Sequence, residues 1–177
     1  MILQIVQTGD PVLRKVARPM SVEEIKSATT RHLIERMRDT MQAAPGVGLA
    51  APQIGESIQL AVIEDRIDYM KDVPSEQLAE RQRSPVAFHV IINPKLSIVG
   101  EATADFYEGC LSVEGFVAVV RRAENVRVEC LNERAEPLTI TAHGWYARIL
   151  QHEIDHLNGT LYIDRMETRS FTTVENI

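Results

Sequence analysis

Gln151-His-Glu-Ile-Asp-His156 lies within the run Gly144 to Leu157, which carries no proline and closes on Asn158-Gly159. That pattern predicts a helix over 144–157 with its C-cap at 158–159. His152 and His156, four residues apart, project from one helical face and can grip a single metal ion. Glu153 stands beside them, close enough to a bound water to take its proton without ligating, the general-base arrangement of metallohydrolases. Trp145 and Ile149 fall on the same face at steps of four, three and four, so an apolar wall leads to the histidines and suggests a substrate pocket. Leu150, Ile154 and Leu157 take another side, suited to packing on a sheet.

A hydrolytic centre needs a third protein ligand and an open position. The long pattern H-E-x-x-H-x-x-G-x-x-H is incomplete: Gly159 is present, but Tyr162 occupies the last histidine's place. The other donors are His32, His89, His143, Cys110, Cys130 and various carboxylates. Cys110 follows Gly109 in Glu108-Gly-Cys-Leu-Ser-Val113, a turn where a thiolate can be presented. Cys130 alternates within Val126 to Leu131 and reads as a buried strand position. Cys110 is therefore the expected third ligand. One thiolate and two neutral imidazoles leave a divalent ion with net charge +1 and suit zinc or ferrous iron equally.

Outward from this centre the chain reads as α+β, with antiparallel β-sheets around a central helix that carries the H-E-x-x-H motif. Ser21-Val-Glu-Glu24 has capping-box spacing, and Leu33, Met37 and Met41 recur helically, predicting a helix over 30–43 that Pro45 and Gly46 end. Gly46 to Gln53 reads as a constrained loop closed by Gly55. Strands are expected at 58–64, 86–93, 95–102, 116–120, 126–131 and 138–142. The polar stretch 65–84 reads as a surface insertion with a short helix, serving as lid, ribosome contact or decoration.

At 177 residues, with 45% apolar and 25% charged side chains, residues 1–177 are expected to form a single domain. A net charge of −6 without a basic block argues against a direct nucleic-acid reader. Two cysteines are too few for a disulfide scaffold. No apolar run is long enough for a bilayer, and the front end lacks an export or import signal, so a membrane-free, intracellular protein is expected.

Three segments together, Gly46-Val-Gly-Leu-Ala-Ala-Pro-Gln53, Glu108-Gly-Cys-Leu-Ser-Val113 and Gln151-His-Glu-Ile-Asp-His156, closely resemble the peptide deformylase family over nearly the whole chain. Arg121-Arg122, Gly144 to Leu150 and Asp164 to Phe171 are most similar to its mitochondrial and plant organellar branch. A bacterial cytoplasmic member is the first expectation, an organellar protein after presequence removal the second. The resemblance implies removal of the formyl group from N-terminal formyl-methionine of nascent polypeptides, with release of formate. It assigns Cys110, His152 and His156 to the metal and Glu153 to the general base and proton donor for a metal-bound water that attacks the formyl carbon. The Gln53 side chain and the Leu111 backbone N–H would stabilise the oxyanion.

The same resemblance implies one divalent ion per chain, Fe2+ as the native metal with Zn2+, Ni2+ or Co2+ as substitutes. Val47, Phe106, Trp145 and Ile149 are expected to form the methionine slot, and Gly46 and Gly48 to let the loop backbone approach the substrate, with Glu108 and Gly109 at the same binding edge. An ion pair between Glu108 and Arg122 should support the ligand loop. Asp155, by helical phase, should point away from the imidazoles. Nascent formyl-methionyl peptides are the expected partners, with transient ribosome contact, and the protein would be a monomer or homodimer. Two rival readings are a zinc metallopeptidase and a structural ion site, the latter needing Cys130 as well as Cys110.

Overall fold

The computed structural model describes residues 1–177. Four α-helices are present: α1 (Val22–Ile25), α2 (Ala28–Ala43), α3 (Ser75–Glu80) and α4 (Gly144–Leu157). A five-stranded antiparallel sheet has the order β1 (Gly48–Ala50), β2 (Leu60–Asp65), β3 (Val86–Ile98), β6 (Asn125–Leu131) and β7 (Pro137–His143). A second, three-stranded antiparallel sheet runs β4 (Thr103–Cys110), β5 (Val113–Ala123) and β8 (Thr172–Thr173).

Strand alternation sorts the larger sheet into two faces. Ala61, Ile63, Ile91, Val126, Val128 and Ile140 join Leu150, Ile154 and Leu157 of α4 in one core. Leu60, Val62, Val90 and Ile92 join Ile34, Met37 and Met41 of α2 in the other. Because both faces are covered, β2 is buried at four successive positions and reads as a continuous apolar run. The smaller sheet lies on the remaining side of α4, where Arg148 donates to the carbonyls of Ala104 and Val120 at 2.8 and 2.9 Å. The motif helix is thus central between two antiparallel sheets, and no helix is long and apolar enough to cross a membrane.

The predicted helix over 144–157 matches α4 at both ends, with Asn158 as C-cap and Gly159 at φ +72°. The Ser21 capping box is present, and α2, capped by Ser27, begins at Ala28, two residues before the expected start. Three expectations need correction. The Gly46 to Gln53 loop contains the edge strand β1 and a 3-10 turn over Ala51–Ile54. The two strands expected around Pro94 are one, because the proline sits at a bulge between Ile92 and Lys95 where no ladder N–H is needed. Asn93 takes φ +50° there and exchanges hydrogen bonds with the Met20 backbone at 2.9 and 2.8 Å. The 65–84 stretch is more than a surface addition: Asp65 and Met70 are buried, and Arg83 clamps Asp65 through two hydrogen bonds of 2.9 and 2.8 Å. Strand β4 had no clear signature in the sequence, since its acidic residues are poor strand formers.

Candidate metal centre and active site

Strand β4 runs alongside α4 in nearly commensurate steps: two strand residues advance about 6.7 Å and four helical residues about 6 Å. Phe106 therefore meets Trp145, Glu108 meets Arg148 and His152, and Cys110 meets His156. At Cys110 the β4–β5 register shifts, turning the thiol inward at the strand's end. The donor atoms of Cys110, His152 and His156 all lie within 4.8 Å of one another. Cys110 Sγ is 3.4 Å from His156 Nε2. A tetrahedral ion with bonds of about 2.0–2.3 Å has ligand separations of about 3.3–3.8 Å, so this soft-and-imidazole set fits a divalent transition metal. The thiol also accepts from the Ser112 N–H at 3.4 Å and from Gln53 Nε2 at 3.6 Å.

Glu108 organises the ligands from behind. Its Oε1 lies 2.8 Å from His152 Nδ1, which leaves Nε2 with the free lone pair. Arg122 holds both carboxylate oxygens at 2.8 and 2.9 Å, as expected, and Arg148 adds a bond of 2.7 Å. Burial opposes ionisation of Glu108, yet hydrogen bonds from Arg122 and His152 hold its carboxyl well below the usual range. Asp155 points away from the imidazoles, as expected, but it is not idle. It accepts from Arg122 at 2.6 Å and from Arg165 at 2.7 and 2.9 Å, extending the network to the segment after α4.

Glu153 is treated differently. Its Oε2 is buried without a hydrogen-bond partner, as is His156 Nδ1. Burial pushes the Glu153 carboxyl up to about 7, opposed by the neighbouring His152. A side chain at position 48 would run into this carboxylate, so only glycine lets the β1 edge lie against it. Gln53 is buried, its Oε1 accepting from Ala50 N at 2.9 Å and its Nε2 donating to Ser112 Oγ at 3.2 Å.

A cavity of about 770 Å³ opens onto these groups. Gly46, Val47, Gly48, Gln53, Glu108, Gly109, Cys110, Leu111, Trp145, Ile149, His152 and Glu153 all line it. His156 lies deeper, 1% exposed. Phe106 is not in the cavity, against expectation: four residues from Cys110 on β4, it reaches only the first turn of α4 and packs edge-on behind Trp145 at 6.0 Å between ring centres. Sequence reasoning missed Arg148, Arg165 and Ser112 as parts of this region. Arg148 carried a signal, since it sits four residues before His152 on an otherwise apolar face and so required a buried anion. Cys130 is buried on β6 and is not among the grouped donors.

The polypeptide deformylase family model matches residues 2–171. A chloroplastic peptide deformylase 1A of Solanum lycopersicum is 49% identical over 98% of the chain, which spans 62% of that relative's length. Peptide deformylase 3 of Streptomyces avermitilis is 47% identical over 98% of the chain and 75% of its own. The Met-Ala-Ser-bound crystal structure of a class I type b peptide deformylase from Acinetobacter baumannii superposes with a TM-score of 0.82 at 32% identity, covering 94% of this chain and 99% of that one.

Proposed function

The chain belongs to the peptide deformylase family, and on that premise we propose that it hydrolyses the formyl amide of N-terminal formyl-methionine on nascent polypeptides, releasing formate and a free amine. The observation that carries this reading is the convergence of Cys110, His152 and His156 beside the unpartnered carboxylate oxygen of Glu153, at the wall of one cavity. Those three side chains would hold one divalent ion, Fe2+ in the native protein and Zn2+, Ni2+ or Co2+ in substituted forms. When bound, the ion supplies Lewis acidity and lowers the pKa of a water.

The chain's own residues do the rest. Glu153 Oε2 takes a proton from the attacking water and delivers it to the leaving nitrogen, a role its raised affinity for protons suits. Gln53 Nε2 and the Leu111 N–H donate to the oxygen that becomes negative as the formyl carbon turns tetrahedral; losing one such donor costs about 10²- to 10³-fold in rate. Val47, Trp145 and Ile149 give the methionine side chain its apolar slot. Gly48 lets the β1 edge lie against Glu153 and Gly46 lets the residues before it lie against Leu111, and that edge would pair strand-like with the peptide. The Met-Ala-Ser peptide held by the Acinetobacter relative is consistent with a substrate of this shape. Relatives from a chloroplast and from a bacterium leave both an organelle and a bacterial cytoplasm open as its compartment.

A structural ion site would require Cys130 among the donors, and it is not there. The deciding experiment is formate release from formyl-Met-Ala-Ser by anaerobically prepared ferrous enzyme, with Glu153→Ala alongside. Release by the parent protein and not by the variant is expected; equal rates from both would refute the assignment.

A further inference from the structure

Trp145 is a wall shared by two spaces. One side lines the substrate cavity, and the other faces a small pocket bounded by Arg81, Gln82, Phe106, Gly144 and Arg148. Arg81 and Gln82 belong to the 65–84 stretch, at the end of α3, which the proposed reaction does not use. The Arg81 guanidinium lies 5.1 Å from the centre of the indole, and Arg83 and Arg148 lie at 5.8 and 5.7 Å. All three are inside the roughly 6 Å range of cation–π attraction. Two of the three come from the 65–84 segment.

The contact is built in. Arg83 is anchored by its paired hydrogen bonds to buried Asp65, so its guanidinium is fixed before it meets the ring. Gln82 takes φ +49° and Gly144 φ +61°, both left-handed, where the two segments touch. A Cβ on Gly144 would collide with the Gln82 side chain and lie 2.8 Å from the Gln82 carbonyl oxygen. The end of α3 is therefore seated directly on the first residue of α4, one position before Trp145.

We propose that the 65–84 segment is a specificity-determining brace: Arg81 and Arg83 position Trp145 from outside the cavity and so set the width of the slot that selects a methionine-sized side chain. The inference rests on the proposed deformylase reading for the identity of the slot's occupant. It makes Arg81 a positioning residue, remote from the metal and from Glu153, whose loss alters side-chain selection and leaves the chemical step alone.

Trp145 is the chain's one tryptophan, so its emission reports the brace directly. Arg81→Ala should shift that emission to the red and raise its quenching by acrylamide. The binding preference for Met-Ala-Ser over Ala-Ala-Ser, titrated by the same emission, should fall about 2- to 5-fold, the scale of one exposed cation–π contact. In formate release, KM for formyl-Met-Ala-Ser should rise by a similar factor with kcat within about twofold. Arg81→Lys keeps the charge but not the planar stacking and should restore part of the preference. The double variant Asp65→Asn, Arg83→Gln removes the second arm without stranding a charge and should act in the same direction. Unchanged emission, or changed emission with an unchanged Met-to-Ala preference, overturns the proposal. Absence of formate release by the parent protein would instead defeat the deformylase reading, with the peptide-binding ratio still deciding the brace.

Discussion

Two buried carboxylates, Glu108 on β4 and Glu153 on α4, stand on either side of the ligand chemistry and are handled in opposite ways. The Glu108 carboxylate receives four hydrogen bonds, from Arg122, Arg148 and His152, and the chain continues through Asp155 to Arg165. The Glu153 carboxylate, equally buried, keeps one oxygen without any partner. An unsatisfied buried acceptor costs about 1–3 kcal/mol, more when charged. The contrast separates scaffold from reagent: groups that fix geometry are saturated, and the group that must bind and release a proton is left with bonding capacity to spare.

The sharpest way to test that division is to remove each carboxylate in turn. Glu153→Gln should lower formate release about 10²- to 10⁴-fold, the usual share of a positioned general base. Thermal stability should stay within about 1 kcal/mol, because no scaffold bond is lost. Glu108→Ala should do the reverse in kind. It leaves buried Arg148 without a carboxylate and Arg122 with Asp155 alone, for which about 3–5 kcal/mol of stability loss is expected, and it releases His152 Nδ1, for which metal affinity should fall about 10- to 100-fold. Calorimetry and metal content measured on both variants decide the matter; a Glu108→Ala protein as stable and as metal-rich as its parent would erase the comparison.

Arg148→Met offers a milder version. Arg122 still holds both oxygens of Glu108, but the carbonyls of Val120 and Ala104 lose their donor. A loss of about 1–3 kcal/mol in unfolding free energy is expected with metal retained. A variant that kept its stability but lost metal would show that Arg148 belongs with the ligands and not with the scaffold.

The sequence exposed the reagent side of this comparison better than the scaffold side. His152, Glu153 and His156 announce themselves because ligand geometry demands fixed helical spacing within six residues. Cys110 was picked out by the glycine before it, although Gly109 proves to be an extended β4 residue paired with Val117 and the chain turns only after Cys110; the sheet was legible from its β-branched runs. Strand β4 was not, because Asp105 and Glu108 disfavour strands and only the arginines reaching Glu108 from β5 and α4 make that position tolerable. Arg122, Asp155 and Arg165 are separated by 33 and 10 positions, and nothing local marks residues whose partner is defined by the packing of two sheets on one helix. Phe106 was misplaced for a related reason: adjacency to a motif says nothing about how far along the helix the strand has travelled.

The smallest effect probes the same division at a site where saturation is complete without charge. His89 on β3 has both ring nitrogens engaged, Nδ1 2.9 Å from the Ala87 carbonyl and Nε2 2.8 Å from the Tyr146 hydroxyl on α4. The neutral ring satisfies this by donating from Nδ1 and accepting at Nε2; a second proton at Nε2 would displace the tyrosine hydrogen. Burial lowers the His89 pKa from its ordinary 6.5, outweighing the Ala87 carbonyl and the charge of Glu133, both of which act upward. The folded state then binds fewer protons than the unfolded chain just below that value, so stability must rise with pH there. The contribution is whole above 6.5 and drains away as pH falls through the lowered folded value. His89→Gln can keep one hydrogen bond to Tyr146 while removing the titration, so the variant should lose less stability than its parent between about pH 7.5 and 5.5, on either side of the ordinary value of about 6.5. Urea midpoints for both proteins at both pH values give the answer as a double difference. A parent and a variant that weaken equally on acidification would mean that His89 carries its proton in the fold, and that a fully partnered, half-buried group is no guarantee of a fixed charge state.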